Sequence, residues 1–337
     1  MKSFKGKNGP FLVAEIGGNH EGNFQYAKKL TELACSSGVD AVKHQIYEAD
    51  TLVNINEDPD RYAHFKKFQL TTDQYIALAR LCKRSGVLFT SSVWSLESIN
   101  WIDEYMDFYK IGSGDLTAYP LLKGITGTGK PIVLSTGLSN LAEVKNTVDF
   151  IRHQDSKYIS NKYLAILQCT SMYPIPDDEV NLFVMSNFKK VFGTTIGYSD
   201  HSIGSKAVEI AVAMGAEIIE IHFTDDRTGK KFRDHKISFT KDETKNLIQN
   251  VKKIRTLQGI NKMEPLQSEI ESGHLTSFRR AVYPCCDIKK GSRVTENEIT
   301  VLRPNNGIPA NEYYKILGKR LNRDVIKHEI LRWEYFD

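Results

Sequence analysis

From residue 11 to about residue 257 the chain alternates without interruption between short β-branched apolar runs and longer helical stretches. The runs are FLVAEIG (11–17), AVKHQIY (41–47), VLFTSSV (87–93), FYKIGS (108–113), PIVLST (131–136), YLAILQCT (163–170), TTIGYSD (194–200) and EIIEIHFT (217–224). Amphipathic periodicity over 24–36, 72–85, 138–152 and 204–214 predicts helices between them, with Gly38 and Gly86 as stops. Eight strands in strict βα alternation match the count of an α/β (β/α)8 TIM barrel. A doubly wound open sheet also alternates, but it commonly has fewer strands and a glycine-rich phosphate turn after the first. Here the first turn reads GGNHEG, whose Asn-His-Glu a pyrophosphate turn does not need, so the barrel is favoured.

The pattern changes after Leu257. Residues 1–257 are expected to form the barrel, 258–276 a polar linker, and 277–337 a small β-rich module with DIKKG and RPNNG turns. A formal net charge of +4, with no Lys/Arg cluster interleaved with aromatics, argues against nucleic acid as a partner. It still allows a local basic pocket for an anionic substrate. No apolar run approaches the roughly 18–20 residues that span a bilayer, and the polar start MKSFKGKNGP lacks a signal-peptide core. Five cysteines, an odd number without CxxC spacing, point to a reduced cytoplasmic protein.

Barrel chemistry collects at the C-terminal ends of the strands, and these ends are polar here. His201 and His222 close adjacent strands, so two imidazoles are placed to share a divalent ion such as Mn²⁺, Co²⁺ or Zn²⁺. Each, read alone, is equally a hydrogen-bonded core histidine. Lys43 and Lys110 lie in or at the end of apolar strands, where an unpaired ammonium is costly. Either an anionic substrate or an internal pair with Glu15 or Asp115 answers that need. Ser113, Ser135 and Ser199 are placed to donate hydroxyl bonds to phosphate oxygens, or serve as strand-end turn residues. GITGTGK (124–130) imitates a Walker A motif, but Pro131 replaces its Ser/Thr and a strand follows where a helix belongs. Trp94 and Trp101 have a helical spacing suggestive of packing, and His64, His153, His274 and His328 have no ligand-like neighbours.

AEIGGNHEG (14–22), VKHQ (42–45), YKIGSGD (109–115), LSTG (134–137), CTSMYPIP (169–176), GYSDHS (197–202), EIHFT (220–224) and RDHKIS (233–238) together resemble the sialic acid synthase family, in its order. DIKKGSRVTENEITVLRPNNGIP (287–309) resembles that family's antifreeze-like SAF module. The resemblance implies condensation of phosphoenolpyruvate with an N-acyl hexosamine aldehyde, N-acetylmannosamine or a related bacterial amino sugar, to a nonulosonic acid with release of phosphate. It implies a divalent metal, foremost Mn²⁺ with Mg²⁺ or Co²⁺ as alternatives, on His201 and His222. Lys43, Lys110, Ser113, Ser135 and Ser199 fall on its phosphoenolpyruvate contacts, and Gln45, Tyr173, Asp234 and Glu15 on positions facing the sugar. Glu15 is the first candidate to manage protons and Asp115 the second. Arg303 resembles an arginine delivered to the sugar by the partner in a domain-swapped homodimer. The chain departs from the pattern at Asp115, where Glu is frequent, at SSVWS (91–95) in place of STPF, and at FRDH (232–235) in place of GPDH. Rival readings are another metal-dependent barrel isomerase or epimerase, and an inactive carbohydrate-binding homologue.

Overall fold

The computed structural model describes residues 4–337. The chain divides into two compact units, one ending at Gly259 and one spanning Ile260–Asp337.

Eight parallel strands of the first unit close into a barrel in sequence order. They are β1 (Phe11–Glu15), β2 (Ala41–Ile46), β3 (Leu88–Val93), β4 (Phe108–Ile111), β5 (Ile132–Ser135), β6 (Leu164–Cys169), β7 (Thr195–Ser199) and β8 (Ile218–His222). Closure is made by β1 against β8, where Glu15 stands opposite His222. Glu15 also stands opposite Lys43 of β2, so three polar residues share one rung of the ladder.

Side chains alternate across a strand, and the barrel divides them into two cores. Leu12, Ala14, Val42, Tyr109, Ile166 and Ile219 belong to the outer core beneath the helices. Their neighbours Phe11, Val13, Ala41, Phe108, Val133 and Ile218 form a separate inner plug. Phe11 and Phe108 meet edge-on at 5.6 Å within it, and Phe4 joins both. The plug fills the lower barrel, so the next inward residues along each strand are raised onto a dry floor.

Helices form near their expected positions, at Phe24–Cys35, Thr72–Arg84, Leu141–Gln154 and Lys206–Ala213. The third starts later than its apolar period suggests. Leu138 holds φ 63°, and Asn140 caps the helix while Glu143 bonds back to the Asn140 amide. GITGTGK lies at the end of a helix over Tyr119–Gly127 and in the turn to β5, as its order required.

In the second unit β9 (Ala281–Pro284) and β10 (Ile299–Leu302) pair antiparallel. Val282, Ile288, Val294, Ile316 and Leu321 are among the residues of its own core. Within 258–276, expected as a linker, Gln267–Glu271 and His274–Ser277 form short exposed helices. All five cysteines are free thiols, and no helix among the described residues is long and apolar enough to cross a membrane.

Candidate active site

The inward-facing residues two places above the plug are almost all polar, and they line a cavity of about 990 Å³. That is the size of a small-molecule site. Its floor is an ionic layer. The Lys43 ammonium pairs with Glu15 and lies 3.7 Å from Glu220, while Lys110 lies 3.6 Å from the same Glu220 oxygen. All four side chains are buried. Burial pushes Lys43 down, but Glu15 and Glu220 outweigh it and hold the ammonium charged. Burial pushes Glu220 up, yet Lys110 and Lys43 together bring it down to about 2. Glu15 goes the other way, raised by burial and by repulsion from Glu220 against the pull of Lys43. Two carboxyls in one layer are thus driven in opposite directions.

Serines extend this layer. Lys110 donates to Ser135 Oγ at 2.7 Å, and Ser199 donates to Glu220 at 3.1 Å. Ser113 Oγ accepts from the Gly137 amide at 3.0 Å. Gln45 donates to Glu15 at 2.9 Å, over Gly17 at φ 51°. A Cβ at Gly17 would stand 2.9 Å from the Glu15 oxygen, so only glycine lets the chain turn so close to that carboxylate.

Above the lysines stand the two histidines, their ring centroids 5.2 Å apart. His201 Nδ1 is bonded to the Thr170 carbonyl at 2.8 Å, which leaves its Nε2 free. The buried Nδ1 of His222 has no hydrogen-bond partner, and its nearest carboxylate oxygen is Asp234 Oδ2 at 3.8 Å. Burial above all, with nearby positive charge, holds His222 well below the usual histidine range and so in the neutral form that ligates metals. Among the described residues no three His, Cys, Asp or Glu side chains converge at ligating distance. Two imidazoles 5.2 Å apart, with the Nε2 of His201 unbonded, fit a divalent ion whose remaining positions go to small oxygen ligands.

Every candidate residue of the first unit lines this one cavity: Glu15, Lys43, Gln45, Lys110, Ser113 and Asp115, and likewise Ser135, Tyr173, Ser199, His201, His222 and Asp234. Arg303 belongs to the second unit, where its guanidinium lies 5.7 Å from the Phe278 ring. Asp115 makes no ion pair with either lysine; Glu220 is the partner that the sequence reading missed. Its signal was strand parity, because Glu220 and His222 share a face of β8. Trp94 is no helical packing residue. It follows β3, lines the cavity and stacks on Tyr47 at 5.1 Å, with Phe65 edge-on. His64 also lines the cavity, stacked 5.9 Å from Phe232. Of the basic residues after β8, Lys230 donates to the Tyr26 hydroxyl at 2.7 Å, whereas Lys231 and Arg233 reach the cavity.

Comparison with known proteins accords with this geometry. The chain is 33% identical over 340 residues to the N,N'-diacetyllegionaminic acid synthase of Legionella pneumophila, covering 97% of this chain and 94% of that protein. It is 33% identical to the Campylobacter jejuni enzyme of the same name, covering 95% and 98%. The crystal structure of the N-acetylneuraminic acid synthetase of Leptospira borgpetersenii superimposes with a TM-score of 0.71 at 29% identity, over 79% of this chain and 91% of that one. Residues 279–336 match the SAF domain. Residues 30–263 match the NeuB family, and the chain belongs to that family.

Proposed function

We propose that the protein condenses phosphoenolpyruvate with the open-chain aldehyde of an N-acyl hexosamine, forming a nonulosonic acid and releasing inorganic phosphate. The observation that carries this reading is the buried Lys43–Glu220–Lys110 layer beneath the paired histidines. Two cations fixed on the cavity floor suit a ligand that carries a phosphate and a carboxylate on one carbon. Ser113, Ser135 and Ser199 would add hydroxyl donors to the same oxygens.

In the reaction, C3 of phosphoenolpyruvate attacks the aldehyde carbon, and one carbon–carbon bond forms. Water then adds at C2, and phosphate leaves the resulting tetrahedral centre with its C–O electron pair. A divalent ion on His201 and His222, Mn²⁺ foremost, would supply polarisation of the aldehyde oxygen. Lys43 and Lys110 hold phosphate and carboxylate against the rising charge. Glu15, raised by burial, gives or takes the proton at the sugar oxygen, with Asp115 as the second candidate for that role. Gln45, Tyr173 and Asp234 orient the sugar. Arg303 would come from the partner of a homodimer to the N-acyl group, and five free thiols accord with a reducing cytoplasm.

The test is phosphate release from phosphoenolpyruvate with Mn²⁺ and a panel of N-acyl hexosamines, including N-acetylmannosamine and diacetamido sugars. Release is expected only when an acceptor is present. Acceptor-independent release, or an activity needing no phosphoenolpyruvate, overturns the reading.

A further inference from the structure

The loop after β8 is unusually well fastened. Tyr26 donates to Asp225 at 2.5 Å, and Lys29 holds the other oxygen of that carboxylate at 2.7 Å. Lys230 then lies 4.2 Å over the Tyr26 ring. Phe232 seats against Phe68 at 5.1 Å, and its ring comes so near Gly18 that a Cβ there would stand 2.7 Å from it. The next residue, Arg233, therefore leaves a fixed backbone. Its side chain is 59% exposed, yet two contacts define its position.

The first is its Nε, which donates to Asp234 Oδ1 at 2.8 Å. The other oxygen of that carboxylate, Oδ2, is the one 3.8 Å from the orphaned His222 Nδ1. The second contact is a stack. The guanidinium carbon lies 3.9 Å from the Tyr173 ring centroid, and Tyr173 stacks on His201 at 3.9 Å with planes 29° apart. Two planar groups at that distance do not fit on one face of a ring, so the phenol lies between them. One guanidinium thus sits behind both histidines: the carboxylate it holds lies 3.8 Å from His222, beyond hydrogen-bond distance, and the ring it covers stacks on His201.

We propose that Arg233 is a positioning residue that sets the orientation of the His201–His222 pair for its metal ion. The inference rests on reading those histidines as metal ligands. A carboxylate behind a ligating imidazole fixes the ring and raises its basicity, and loss of such support costs about 10–100-fold in metal affinity. Arg233 suits the task because its planar fork pairs with a carboxylate and stacks on an aromatic face at once; lysine does only the first.

The experiment is a titration of metal-free protein with Mn²⁺, followed by the loss of the free-ion paramagnetic resonance signal, without substrate or turnover. Arg233→Ala is expected to weaken binding by about tenfold or more, and Arg233→Lys to fall between it and the unaltered protein. The visible bands of the Co²⁺-loaded form should shift in the alanine variant as the two rings reorient. A dissociation constant for Arg233→Ala within twofold of the unaltered protein, with unchanged Co²⁺ bands, overturns the inference alone. If the unaltered protein binds neither ion, or His222→Ala binds as well as it does, the reading of the histidines fails instead and takes this inference with it.

Discussion

Glu220 is held between two ammonium groups on a floor packed from below by Phe11, Phe108 and Ile218. Glu220→Gln keeps the shape and removes the charge, leaving Lys43 with Glu15 alone and Lys110 with no carboxylate partner. Breaking a buried pair in this way costs about 3–5 kcal/mol, because the residual charge stays desolvated. The urea midpoint should fall accordingly, and an unchanged midpoint would show the lysines are neutral. Asp115 behaves oppositely. Burial pushes its carboxyl up to about 6 from the ordinary 3.8. Between about pH 4 and pH 6 the folded state holds a proton that the unfolded chain has released, so stability falls as pH rises through that window. Asp115→Asn should therefore stabilise the protein by up to about 3 kcal/mol at pH 7 and by nothing near pH 4. Equal unfolding free energies of the variant and the unaltered protein at pH 7 refute the shift.

Strand parity is what turns these residues into a site. Along β8, Ile218 is in the plug, Glu220 is in the ionic layer and His222 is in the upper layer, while Ile219 and Ile221 face the helices. Along β2, Ala41, Lys43 and Gln45 repeat the sequence of plug, charge and polar rim. The turns that leave the strands are as constrained as the strands. At the end of β5 a Cβ on Gly137 would overlap the Ser171 hydroxyl and stand 2.8 Å from Ser113 Oγ. Gly137→Ala should displace Ser113 and lower kcat/KM for phosphoenolpyruvate by about tenfold, with the circular dichroism spectrum unchanged. Kinetics equal to those of the unaltered protein would remove Ser113 from the phosphate cradle. The strand ends were legible in the sequence because β-branched runs and glycine stops mark them locally. The late start of the helix at Leu141 was not, since it depends on a cap at Asn140 and a left-handed residue at Leu138 rather than on the apolar period.

For the molecule as a whole, the proposed delivery of Arg303 from a partner subunit is tested by complementation. If it acts from a partner subunit, Arg303→Ala and Lys43→Ala chains should each be inactive alone. Mixed after dissociation, they should regain about a quarter of full activity, because half the dimers are hybrids with one intact site each. No recovery on mixing, with dimers shown to exchange, would place Arg303 outside the site. The local chain determined the alternation of elements, the eight strands, the small terminal module and the polar strand ends, because each follows from side-chain periodicity within a dozen residues. Only tertiary structure decided that Glu220 is the counter-ion of both lysines, that Trp94 and His64 wall the cavity, and that Arg233 meets Asp234 and Tyr173 beside the two histidines. Those relations join residues far apart in sequence, and their energies arise only once barrel closure has removed the water between them.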